Sequence, residues 1–199
     1  MKTVTTANII TLLRGIIRDD LKTDGRDSFQ YDTSASFQLS KDYVNSSTIA
    51  VYKNGTLLTV TTQYTYNSAT NKVTILTTLV KNDDILIVYS YYDKYSDTEL
   101  LNFIRANLVQ FVLHKYDKYF YINDDDEIVT YDGVNPTPQE ASIIALVTAI
   151  DIDPKNITVK TRDFTITPEQ SKSKSEQIDD VFASWMRSFG DIDFLEDED

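Results

Sequence analysis

The sequence predicts an α+β chain: a four-helix body with a small antiparallel β-sandwich or barrel inserted between helices 1 and 2. Three observations carry this prediction. Apolar residues recur at spacings of three and four before Leu21 and again after Ser96. From Phe29 to Tyr92 the period falls to two. Within VYKNGTLLTV, Asn54-Gly55 is the strongest hairpin signal, because a type I′ turn needs positive φ at both central residues. The predicted division is a helical body of residues 1–28 and 93–199 around a β-module of residues 29–92.

The first helix is read from about Thr6 to Leu21, with Ile9, Leu12, Leu13, Ile16 and Ile17 forming one stripe and Thr5 or Thr6 as its cap. Gly25 is the expected left-handed exit. In the module, Phe29 and Tyr31, Phe37 and Leu39, and Ile49 and Val51 alternate with polar residues. Gln63–Tyr66 and Lys72–Thr77 flank a second turn, and Asp84–Tyr92 is apolar on both faces, as an interior strand should be. That makes six or seven short strands.

The second helix opens in YSDTELLNFIRANLVQFVLHKYDKYF with a capping box, Ser96 as N-cap and Glu99 three residues on. Leu101, Ile104, Leu108, Phe111 and Val112 are the expected core of this central helix, widened by Leu100, Val109, Leu113 and Tyr116. Asn123–Glu127 and Asp132-Gly133 read as loop. Thr137 caps a third helix carrying Ile143, Ile144, Leu146, Val147 and Ile150, which stops before Pro154. Ile157–Ile166 reads as a short extended arm. A fourth amphipathic helix holds Ile178, Val181, Phe182, Trp185 and Met186 and ends at Gly190. The tail DIDFLEDED is acidic but contains Ile192, Phe194 and Leu195.

With 199 residues, 41% of them hydrophobic, the chain can bury a core. It has no cysteine, which removes disulfides, thiolate nucleophiles and cysteine-bound zinc. The net charge of −12 opposes binding to DNA phosphates or anionic lipid. No stretch reads as a membrane span or a signal peptide, since Arg14 and Arg18 interrupt the first apolar run. Synthesis in the cytoplasm is the expectation.

Chemistry is sparse in the sequence. The lone histidine, His114, has no nucleophile or orienting group at a suggestive spacing and reads as a helix-flank residue. Asn123-Asp-Asp-Asp-Glu127 lacks the glycine and distant glutamate of an EF-hand loop, and Asp151-Ile-Asp153 is a weaker cation motif still. Solvated loops are expected at both. There is no glycine-rich phosphate loop, and no catalytic, metal or cofactor-binding residue is assigned.

YSDTELLNFIRANLVQFV resembles the segment that opens the central helix of head–tail connector (adaptor) proteins of tailed bacteriophages. NITVKTRDFTIT, followed by a polar stretch and an amphipathic helix, is similar to their later part. The hairpin VYKNGTLL leading to Asp84, Ile85, Ile87, Tyr89 and Tyr91 resembles small inserts in virion proteins. The large β-module departs from the minimal family body.

The resemblance implies a non-enzymatic virion protein of the neck. It would form a ring, commonly twelve-fold, below the portal protein, extend the DNA channel and offer a platform to the next neck or tail protein. DNA would pass through the lumen without specific binding. By the same resemblance Ile192, Phe194 and Leu195 are the portal-docking candidates, and the β-module is free to meet capsid, fibres or a neighbouring subunit. Two alternatives remain open. One is another neck or tail protein, a stopper or fibre anchor. The other is a glycan- or host-binding module carried by the β-domain, which calls for an exposed aromatic cluster. An enzyme would need perturbed carboxylates near Asp124–Glu127 or His114.

Overall fold

The computed structural model describes residues 3–154, 159–160, 165–166 and 172–190. The chain divides into two compact units, Met1–Arg18 with Asp97–Asp199 and Asp19–Ser96. The sequence placed the boundaries at 28/29 and 92/93. The difference at the first boundary comes from a strand that carries almost no apolar signal.

In the first unit, helix α1 spans Thr6–Ile17. Its N-cap is Thr5, whose side chain accepts from the Asn8 N–H while the Asn8 side chain accepts from the Thr5 N–H. It ends at Arg18, which takes the left-handed conformation with φ 54. Gly25 is therefore not its exit, and the helix is a turn shorter than its periodicity suggested. Ile9, Leu13 and Ile17 are buried, as is Arg14, whose Nη2 lies 2.7 Å from Asp97 Oδ1. That pair ties the last turn of α1 to the start of helix α2, Asp97–Asn107.

The stretch expected as one long helix is broken at Leu108, and helix α3, Val109–Leu113, completes it. Its end is a Schellman motif built without glycine. Lys115 stands at φ 57, its N–H donates to Val112 O, and the Tyr116 N–H donates to Phe111 O at 2.9 Å. The Tyr116 and Phe111 rings meet at 5.6 Å, the hydrophobic contact that accompanies this motif. Tyr116 thus lies beyond the helix rather than on its stripe.

The fully surrounded helix is α4, Pro138–Ile152. Thr137 and Glu140 form its capping box, and every residue from Ala141 to Ile150 except Ser142 is buried. Continuous burial around the circumference identifies it as the centre of the bundle, a role the sequence reading gave to the helix before it. Helix α5, Lys174–Gly190, buries Ile178, Val181, Phe182 and Trp185, while Met186 is exposed.

The unit also contains short strand pairs. Within the second unit the strands are β1 Lys22–Gln30, β2 Ser36–Gln38, β3 Val44–Lys53, β4 Thr56–Leu57, β5 Tyr64–Asn67, β6 Lys72–Ile75 and β7 Asp84–Tyr91. The helical unit adds the hairpin β8 Phe120–Ile122 and β9 Ile128–Thr130, and the pair β10 Val159–Lys160 and β11 Thr165–Ile166. Asn123–Glu127 and Asp132-Gly133 are turns, as read from the sequence; the strands β8 and β9 that flank the first of them were not anticipated. Three-residue strands are too short for a period of two to show.

The β-unit is a two-sheet antiparallel sandwich, one sheet in the order β1-β7-β3-β4 and the other β2-β6-β5. Val51, Ile85, Ile87 and Tyr89 from the first sheet and Phe37, Tyr64, Val73 and Ile75 from the second form one core. Tyr64 is buried with its hydroxyl donating to Ile49 O at 2.7 Å, so the aromatic body fills the core and the polar tip is satisfied. Asn54 and Gly55 have φ of 48 and 79, the I′ pair the sequence called for. Gly25 lies inside β1, where an added Cβ would fall 2.6 Å from Tyr89 O. Its role is close approach of two strands. The tyrosines of this unit are all buried or half-buried.

Candidate assembly surface

The residues that decide this surface lie on α2 and α3. Of the predicted core set, Ile104, Leu108 and Phe111 are buried, Leu101 is half-buried, and Val112 is 48% exposed. Val109 and Leu113, expected to widen the buried stripe, are also exposed. The reason is the packing of Phe111. Its ring sits against Phe120 and Phe182, each at 5.1 Å, and Trp185 at 5.9 Å. With Phe111 turned inward on α3, positions two before it and one and two after it face away. Helical periodicity marked a wide stripe, and tertiary packing used only its Leu100, Ile104, Leu108, Phe111 side.

Val109, Val112 and Leu113 therefore form an outward apolar face, and Tyr119 beside them is 55% exposed. A groove of about 280 Å³ opens beside Val109 at one end of this face, lined also by Arg105, Leu108, Tyr119, Phe120 and Tyr121. Arg105 marks one rim and lies 3.8 Å from Asp126. Tyr131 and Val134, just beyond β9, are exposed as well. A Tyr-bearing apolar face beside a polar rim has the composition of a protein–protein contact rather than of a solvated helix.

The face rests on a rigid footing. Glu140, 2% exposed, accepts from Tyr116 Oη and Lys118 Nζ at 2.7 Å each and from the Thr137 N–H at 2.7 Å. Burial alone would raise the Glu140 pKa, but the Lys118, Thr137 and Tyr116 donors outweigh it and hold the carboxyl below its usual range. Burial and the same carboxylate push the Tyr116 hydroxyl up. This network locks the chain leaving α3 onto the N-terminus of α4.

His114 joins α3 to α5. Its Nε2 lies 2.9 Å from Asp179 Oδ1, its Nδ1 2.8 Å from Gln110 O, and its ring stacks on Phe182 at 4.2 Å. These are packing contacts. The Asn123–Glu127 loop is also structural. Asn123 Oδ1 accepts from the N–H groups of Asp125 and Glu127, and Glu127 Oε2 accepts from the Thr6 N–H at 2.9 Å and its hydroxyl at 3.0 Å. Glu127 thereby serves the N-terminus of α1, where a carboxylate is favoured. Asp151 accepts from Asn107 Nδ2 at 3.1 Å. Among the described residues no three His, Asp or Glu side chains converge as a metal site. Ile192, Phe194 and Leu195 lie outside the described residues. Among those described, no helix is long and apolar enough to cross a membrane.

No protein-family model matches the chain, and no curated protein matches it.

Proposed function

We propose that this chain is a structural virion protein, a head–tail connector that assembles as a ring below the portal and links capsid to tail. The observation that supports it most is the α3 face. Val109, Val112, Leu113 and Tyr119 are left exposed by a helical unit that buries most of the apolar residues described on α1, α4 and α5, and a ring needs subunit-to-subunit surfaces of that kind. The Ser96-Asp-Thr-Glu-Leu-Leu101 segment at the start of α2 is the second support, through its resemblance to connector sequences. A charge of −12 suits a channel wall along which DNA slides without being held. In this reading Ile192, Phe194 and Leu195 dock on the portal, twelve copies close the ring, and the next neck or tail protein binds its far side.

Native mass spectrometry of the purified chain, alone and with portal rings, tests the reading. Rings, or many copies loading onto a portal, are expected. Val112→Asp with Leu113→Asp should abolish ring contacts without unfolding the chain, and truncation after Gly190 should weaken loading on the portal. A monomer that ignores every portal offered would overturn the reading.

A further inference from the structure

β1 is the longest edge strand among the described residues, and its pattern shows which main-chain groups it leaves free. Tyr31 N–H donates to Asp83 O at 2.9 Å, which sets the phase of the β1–β7 ladder. Gly25, Asp27 and Phe29 therefore turn their N–H and C=O groups to β7, and Arg26, Ser28 and Gln30 turn theirs off the sheet. All three are exposed. Among the described residues no hydrogen bond reaches their outward main-chain groups. A groove of about 380 Å³ lies on one face of the β1–β7 pair, lined by Arg26, Ser28, Gln30, Asp84 and Leu86 among others.

We propose that β1 pairs antiparallel with β1 of a second copy, about a two-fold axis at Ser28, so that the two four-stranded sheets become one. Only an extended strand presents donors and acceptors at the spacing of Arg26, Ser28 and Gln30. In this register Arg26 faces Gln30 of the copy and Ser28 faces Ser28, so all three outward residues of each strand are used. Centring the pair on Asp27 would set two carboxylates opposite each other, which is destabilising. Centring it on Phe29 leaves Arg26 outside the strand of the copy.

Charge selects the same occupant. Lys22, Asp24, Arg26 and Asp27 sum to zero in a chain of −12, so two such edges meet without net repulsion. The acidic end of the chain, DIDFLEDED, would bring six carboxylates to this edge. The Asp27 carboxylate is already held by Tyr89 Oη at 2.6 Å and the Ser40 N–H at 2.9 Å. The register shift between Lys22 and Gly25 bends the strand and ends the free ladder at Arg26. This contact is separate from the ring. An isologous pair uses one surface on both copies and does not propagate around a circle.

The full chain lacks cysteine, so Ser28→Cys installs a single thiol. Facing Cα atoms in a hydrogen-bonded antiparallel pair lie about 5.5 Å apart, within disulfide reach. Mild oxidation should convert S28C to covalent dimer, while Ser68→Cys, an exposed site off the edge, should form no covalent dimer. Light scattering should find a concentration-dependent dimer of the unmodified chain. Ser28→Asp, which places two carboxylates on the axis, and Ser28→Pro, which removes only an outward N–H, should each lose that dimer. A chain that is monomeric at every attainable concentration, equal cross-linking of S28C and S68C, or a dimer that survives in both variants would overturn the proposal. Rings containing unpaired β1 edges would overturn it as well, while leaving the connector reading intact.

Discussion

Single residues hold conflicting demands in this protein, and glycine shows it best. Gly25 has Tyr89 O and its ring carbons at 2.6 to 2.7 Å from where a Cβ would stand. Gly25→Ala should cost about 1–3 kcal/mol, the range for overpacking a closed site, read as a lowered melting temperature. Gly15 has nothing within 4 Å and sits exposed inside α1, so Gly15→Ala should instead stabilise by about 0.5–1 kcal/mol. Both are plain glycines in sequence. What separates them is a strand from sixty residues away. Glu140 is the other decisive residue. Glu140→Gln keeps its shape but loses charge-assisted bonds to Lys118 and Tyr116, and should destabilise by about 2 kcal/mol in urea unfolding. Because the folded pKa is depressed, this contribution is complete above the unfolded value, about 4.3, and fades as pH falls below it.

At the scale of elements, the β3–β4 turn was readable because its chemistry is local: Asn54-Gly55 needs no partner to favour positive φ. Its anchoring was not readable. Asn54 Nδ2 donates to Asp83 Oδ1 at 2.7 Å, and Lys53 Nζ lies 3.0 Å from Asp83 Oδ2. With the Val80 N–H, these donors hold Asp83 down to about 2. The loop from Val80 to Asp83 should therefore keep its support down to about pH 4 and lose it as pH falls through about 2. Wild type and Asp83→Asn should show different melting temperatures at neutral pH that converge at low pH. Helix α3 teaches the opposite lesson. Its apolar positions were legible and their burial was not, because a stripe wider than one contact face does not say which part will find a neighbour. Most of β1, before Phe29, escaped notice for a related reason. Lys22-Thr-Asp-Gly-Arg-Asp has no alternation, since an edge strand exposes residues that a central strand would bury.

At the scale of the molecule, the two units answer how a β-module can interrupt a helical protein. In the helical unit, Arg14 near the end of α1 bonds Asp97 at the start of α2, so the chain leaves and re-enters side by side. In the β-unit, Asp19, 1% exposed, accepts from the N–H groups of Asp93 at 3.2 Å and Lys94 at 3.1 Å, closing the module at its own two ends. Ends that already meet make an insertion cheap in loop entropy. Replacing Asp19–Ser96 with a short flexible linker should leave the helical unit folded, seen as retained α-helical circular dichroism with a cooperative melt. Loss of that melt would show the units to be interdependent.

The sequence alone determined the class, the order of the helices, the I′ hairpin and the presence of an antiparallel β-module, a sandwich or a barrel, because each follows from periodicity or from turn residues acting over a few positions. Tertiary structure decided the rest: that α4 rather than α2 sits at the centre, that Val112 faces out, that Gly25 serves a close contact and that β1 offers a free edge. These depend on which of several suitable surfaces meets which, and that choice is set by packing between residues far apart in the chain.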